Sequence, residues 1–172
     1  MIVFVVAMTG GIILDINLHN FWTIIAKILI LTISYIAFYL AIRPKKIFLI
    51  SPVRNAPDNP CQMEKIRFYV ENLEKRGVRV HWPIRDTNQN DSIGIRICRD
   101  NMIAMLTADE IHIWYFENGG FKQSTGSLFD FGIAFFLHYL WGTKIKLVNP
   151  EAVPQTNHKS YENVLLKISG HY

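Results

Sequence analysis

The residues best suited to chemistry lie in one short run, Gly126-Ser127-Leu128-Phe129-Asp130-Phe131-Gly132. Asp130 is the only charged residue from Ser127 to Leu140, and the apolar character of that stretch predicts a buried helix opened by Ser127. A carboxylate on the first turn of such a helix, facing a crevice, could act as a nucleophile or as a partner for a developing cation. The same spacing satisfies a helix start. Ser-x-x-Asp resembles a capping box, and acids are favoured in the first helical turn. Spacing alone leaves both readings open.

Composition narrows what can surround this run. The chain has 172 residues, 50% hydrophobic and 19% charged, so it must collapse or enter a membrane rather than stay disordered. Cys61 and Cys98 are the only cysteines and form no Cys-x-x-Cys pair, which removes a disulfide scaffold and a structural zinc site. No metal or cofactor is expected. The net charge of +4 is small and its basic residues are scattered, so nucleic acid is not an expected partner.

The elements that must position Asp130 follow from residue 46 onward. Residues 46–53 form a short apolar run ending at Pro52-Val53, which reads as a buried strand. Asn59 and Pro60 open an amphipathic helix carrying Met63, Ile66, Val70 and Leu73, and Gly77 ends it. Residues 78–83 alternate as a strand, 85–91 form a polar loop, and Ser92 can cap a helix running to about Thr107. Residues 110–116 form a third strand and 144–149 a fourth, with a helix between them and a terminal helix over 158–168. Strands one, three and four read apolar throughout, which places helices on both faces. Such alternation predicts an α/β, flavodoxin-like three-layer parallel sheet in the order 2-1-3-4. Its crevice opens at the carboxyl ends of strands one and three. The loops 51–54, 85–91 and 117–126 meet there, which makes Ser51, Arg54, Trp82, Arg85, Asp86, Glu117, Gly126 and Ser127 candidate binding residues. Arg54 suits a phosphate. Trp82, Trp114 or Tyr115 offers an aromatic face, although Trp114 and Tyr115 alternate on a strand and at most one of them faces the crevice. The backbone of Gly126 and Ser127 at the helix start suits a phosphate or a hydroxyl. His81, His112 and His138 read as packed or hydrogen-bonded residues, Cys98 as a small core residue, and Phe135-Phe136 as core.

Residues 1–42 differ from the rest: Asp15 and Lys27 are their only formal charges. Residues 21–42 match the roughly 20 apolar positions that a helix needs to cross a bilayer, with Lys27 near enough to one end to snorkel. Residues 1–14 read as a second, shorter apolar arm. The expectation is therefore a transmembrane helical hairpin and basic stop over 1–45, then an α/β domain over 46–172. Arg43, Lys45 and Lys46 mark the cytoplasmic side of the inner membrane.

Three blocks resemble the nucleoside 2-deoxyribosyltransferase-like family: Ile-Phe-Leu-Ile-Ser-Pro-Val-Arg from Ile47, the stretch His81-Trp82-Pro83-Ile84-Arg85-Asp86-Thr87 continuing into Arg96–Asn101, and Ala108-Asp109-Glu110 leading to Gly-Ser-x-x-Asp-x-Gly. The likeness spans residues 46–150. The family pattern is Gly-Thr/Ser-x-x-Glu-x-Gly, with the glutamate attacking the sugar's anomeric carbon. By position the resemblance gives that role to Asp130, and an upstream substrate-contacting acid to Asp100. Two departures stand out. Asp130 is one methylene shorter than glutamate, and Phe48 occupies the first-strand position where many transferases have a tyrosine. The resemblance implies a membrane-anchored N-glycosidase or deoxyribosyltransferase acting on a nucleoside or nucleotide, with sites completed by neighbouring subunits, hence a homo-oligomer. The alternative is a membrane-tethered nucleotide-binding sensor or phage-defence effector without turnover.

Overall fold

A computed structural model describes residues 2–6, 13–53, 60–116 and 124–172. Two compact units divide the chain, Met1–Arg43 and Pro44–Tyr172.

In the first unit, β1 (Ile2–Val6) pairs antiparallel with β2 (Ile13–Asn17), Ile2 opposite Asn17 and Val6 opposite Ile13. The strands overturn the expectation that residues 1–42 are helical throughout. Ile2, Val3, Val5, Val6, Ile13 and Ile16 are β-branched, and such side chains favour a pleated strand over a helix. Gly10-Gly11 in the intervening sequence is a hairpin signal, so the apolar run follows the period of a strand rather than that of a helix. One helix follows, α1 (Leu18–Ile42), and its side chains from Asn20 to Ile42 are exposed. Its segment Asn20–Ile42 is long and apolar enough to cross a membrane. At 1.5 Å per residue it is about 35 Å long.

The second unit is an α/β fold on a four-stranded, all-parallel sheet. The strands are β3 (Lys46–Ile50), β4 (Arg79–His81), β5 (Glu110–Ile113) and β6 (Lys144–Leu147). Their order is β4-β3-β5-β6, the 2-1-3-4 arrangement expected for this domain. Phe48 lies beside His81 on one side and Ile111 on the other. The helices are α2 (Pro60–Glu74), the short α3 (Pro83–Asp86), α4 (Ile95–Leu106), α5 (Thr125–Trp141) and α6 (Tyr161–Ile168), with a 3-10 turn at Pro150–Ala152.

Alternation along β3 builds two cores. Ile47 and Leu49 pack with Ile66 and Val70 of α2, Val80, Trp82 and Phe116. Phe48 and Ile50 face the other way, onto Met105 of α4, Phe131, Ala134 and Leu137 of α5, and Leu165 and Leu166 of α6. Because β3 is buried on both faces, it reads as an unbroken apolar run.

Five local expectations change. Gly94, not Ser92, is the N-cap of α4. The start of the 85–91 loop belongs to α3, where Pro83 supplies a first helical residue with φ already set. Strand β6 is not apolar throughout: Lys144 and Lys146 are exposed while Ile145 and Leu147 are buried, so this edge strand is covered on one face only. Cys98 is exposed on α4 rather than in the core. Phe136 is exposed, because α5 is apolar around its whole circumference and only one face of it meets the sheet.

Candidate functional site

Helix α5 starts three residues earlier than its sequence suggests. Ser124 is the N-cap, and its Oγ accepts from the Ser127 backbone N–H at 3.4 Å. Ser127 is therefore inside the first turn, buried, with its Oγ 2.9 Å from that of Ser124. Asp130 moves to the second turn, beyond the four unpaired N–H groups that a cap serves. The capping-box reading of Ser127 and Asp130 is overturned. Two serines three residues apart each satisfy the start pattern, and the upstream one wins.

Asp130 is 8% exposed, and Oδ2 accepts a hydrogen bond from Asn101 Nδ2 of α4 at 3.1 Å. Burial pushes its carboxyl up to about 6, against the opposing pull of the Asn101 hydrogen bond. Asn101 is itself held: Thr87 Oγ1 donates to Asn101 Oδ1 at 2.8 Å, and His81 Nε2 lies 2.9 Å from the same hydroxyl. The His81 ring stacks on Phe48, with centroids 5.3 Å apart and planes 11° from parallel. Gly126 and Gly132 flank Asp130 in sequence. A Cβ at either would meet open space among the described residues, so no close packing there demands a glycine, although each costs helix stability.

The other sequence-chosen residues divide. Ser51 closes β3, and its Oγ accepts from Trp82 Nε1 at 2.9 Å, tying the ends of β3 and β4 together. Trp82 is buried in the α2-side core, so its ring serves packing there. Trp114 belongs to the same core region, and Tyr115 faces the opposite one. Asn149 stitches Tyr115 in place through both backbone groups, at 2.8 and 2.6 Å.

Arg85 and Asp86 form a structural clamp. Arg85 Nη1 and Nη2 reach the two Glu74 oxygens at 3.2 and 2.8 Å, Nη2 also donates to the Val80 carbonyl, and Nε donates to Asp86 at 2.8 Å. Asp86 accepts from the Trp82 backbone N–H at 2.7 Å. Burial opposes Asp86 ionisation, yet the Arg85 and Trp82 hydrogen bonds hold its carboxyl below the usual range. Asp100 pairs with its neighbour Arg99 at 3.1 Å and is not hydrogen-bonded to Asp130. Arg54 and Glu117 lie outside the described residues. His138 Nδ1 donates to the Thr143 carbonyl, 3.0 Å away, at the end of α5.

Sequence reasoning passed over Asn101 and Thr87. Both were visible as polar residues within the second resemblance block, but only the approach of α4 to α5 brings them to Asp130. Gln62, in the first turn of α2, is also buried, and its Oε1 has no hydrogen-bond partner among the described residues. No group of three or more metal-ligating side chains occurs among the described residues.

This fold and site define a class, a flavodoxin-like α/β domain with a buried, weakly compensated carboxylate on the helix after its third strand. No protein-family model matches the chain, and no curated protein matches it significantly.

Proposed function

We propose that the Pro44–Tyr172 unit cleaves the base–sugar bond of a nucleoside or nucleotide, as an N-glycosidase or deoxyribosyltransferase, with Asp130 as the reacting carboxylate. One observation carries this reading: Asp130 is buried on a helix that does not need it as a cap, with its carboxyl raised to about 6 by that burial. A group titrating there can carry or release a proton near neutrality, and in its ionised form can trap an oxocarbenium-like sugar. The base leaves with the bonding electron pair and takes up a proton. The sugar carbon is then captured by Asp130, and water or a second base completes the exchange. The open space beside Gly126, among the described residues, leaves room for a ligand to approach the start of the helix closely. The decisive assay incubates the full chain in detergent micelles with a nucleoside and nucleotide panel and looks for free base by liquid chromatography. Release that Asp130→Asn abolishes supports the reading, and absence of release across the panel sinks it.

A second reading, a nucleotide-binding sensor without turnover, draws on the placement of Asp100. Its carboxylate pairs with Arg99 at 3.1 Å, and no hydrogen bond joins it to Asp130 among the described residues. Ligand binding by calorimetry without free base would favour it.

Helix α1 is assigned to the inner membrane, with the Pro44–Tyr172 unit on the cytoplasmic side, from its apolar length and from Arg43, Lys45 and Lys46 after it. External protease acting on right-side-out vesicles should leave this unit intact, and its digestion would reverse the orientation. The unit is further assigned to a homo-oligomer. Met102 and Leu106 of α4 and Phe129, Phe136 and Trp141 of α5 line an apolar groove of about 380 Å³. Their exposure favours association. Sedimentation at micromolar concentration should show at least a dimer, and a clean monomer counts against it.

A further inference from the structure

The directions of the hydrogen bonds around Asp130 can be worked out from one premise. An ionised carboxylate only accepts, so Asn101 presents its amide nitrogen to Asp130. The amide oxygen is then left facing Thr87, whose hydroxyl donates to it. That hydroxyl has one proton, so toward His81 it accepts, and His81 Nε2 carries the hydrogen. Every bond in the row points from the imidazole toward the carboxylate, an alignment in which each bond polarises the next. Thr87 and Asn101 are both 5% exposed, so neither exchanges its partner for water freely. His81 is half-buried and lines a cavity of about 280 Å³ with Lys46, Arg79, Asp86 and Thr107. Neither Asn101 nor Asp130 lines that cavity.

We propose that His81, Thr87 and Asn101 are positioning residues that fix the Asp130 carboxylate and couple its charge to the state of an imidazole in a cavity that Asp130 does not line. The proposal rests on Asp130 being the reacting group. No proton travels the row, because an amide does not relay one. Orientation and polarisation are what pass along it. Burial keeps the His81 imidazole below its ordinary value, with Asp86 and Asp100 favouring the cation and Arg85 opposing it. Protonating His81 leaves the Nε2–H in place and adds a positive charge at the head of the row, which draws Asp130 toward its ionised form.

The test follows Asp130 directly, by carbon-13 NMR of the full chain in detergent micelles with carboxyl-labelled aspartate. The signal is assigned by its loss in Asp130→Asn. Thr87→Val keeps the shape and removes the hydroxyl, and should move the Asp130 titration upward by roughly half a pH unit or more, as loss of a partner to the charged form does. Thr87→Ser should return it. Free-base release measured in parallel should lose kcat with KM held in Thr87→Val and recover in Thr87→Ser. A folded Thr87→Val with an unmoved Asp130 titration overturns the proposal. If Thr87→Val does not fold, His81→Gln and His81→Leu replace it. Glutamine keeps a donor and leucine does not, so only leucine should move the titration, and equal behaviour of the two overturns the proposal. A wild type that releases no base refutes the enzymatic reading, while the titration still decides the positioning row.

Discussion

Glu110 and Asp130 are both carboxylates drawn out of water, one at the amino end of β5 and the other on the helix that follows that strand. Glu110 sits where the amino ends of three parallel strands converge. Lys45 Nζ is 2.8 Å from it, Lys144 Nζ 3.3 Å and His112 Nε2 3.1 Å. Burial opposes its ionisation, yet the hydrogen bonds from Lys45, His112 and Lys144 prevail and hold the carboxyl at about 2. Asp130 lies deeper, its hydrogen-bond partner among the described residues is one neutral amide, and its carboxyl rises to about 6. Depth and partners therefore act together: the half-buried acid with cations beside it stays ionised, and the deeper one without them is pushed toward its neutral form. A charge left undercompensated costs stability, and such sites cluster where proteins do chemistry.

The largest expected effect comes from neutralising the undercompensated acid. Asp130→Asn should reduce base release by several orders of magnitude, as loss of a covalent nucleophile does. It should also raise the melting temperature at pH 7. For Asp130 the folded-state value lies above the ordinary 3.8. Its contribution to stability is thus complete below pH 3.8 and is lost as pH rises through about 6. A shift of this size corresponds to about 3 kcal/mol at neutrality, which asparagine escapes while still accepting from Asn101. The two proteins should melt together near pH 3.5 and separate above pH 6. A folded variant with near-wild-type turnover would put the binding reading ahead. A variant less stable at pH 7 would break the contrast with Glu110.

Glu110→Gln should act in the opposite direction. Its folded value is depressed below the ordinary 4.5, so its contribution is present above pH 4.5 and is lost as pH falls through about 2. The expected cost at pH 7 is about 1–3 kcal/mol, reduced because Lys45 and Lys144 are themselves solvent-exposed. Melts of the two proteins should converge as pH approaches 2, and turnover per folded molecule should not change. A cost that persists at pH 2 would mean that the glutamate's shape matters more than its charge.

What could be read in advance follows the range of the interactions. The 2-1-3-4 sheet was legible, because Ile47–Ile50 is an unbroken apolar run and Gly77 and Pro60 punctuate locally. The first arm of the Met1–Arg43 unit was not. Residues 2–6 are apolar in either period, and only their β-branching and the following Gly10-Gly11 favour a hairpin. Asp130 was legible as the lone charge on an apolar helix, but its turn was not, since Ser124 and Ser127 both satisfy the cap pattern. Asn101 and Thr87 were invisible as its supports, because nothing local joins them to residue 130. The partner of Arg85 was hidden for the same reason, because Glu74 lies on another element.

The smallest expected effect tests the helix start on which the comparison depends. If Ser124 caps α5, Ser124→Ala removes the acceptor for the Ser127 N–H and should cost about 1 kcal/mol. Ser127 lies inside the first turn, so Ser127→Ala loses one hydroxyl contact with Ser124 and should cost less. Neither substitution removes the Asp130 charge or its bond to Asn101, so the Asp130 titration should stay near 6 in both. Thermal melts and the carboxyl NMR signal read these two outcomes separately. Were Ser127→Ala the costlier variant, with Asp130 returning toward the ordinary carboxylate range, the helix would begin at Ser127. Asp130 would then be the acid of a capping box, and its difference from Glu110 would need no function to explain it.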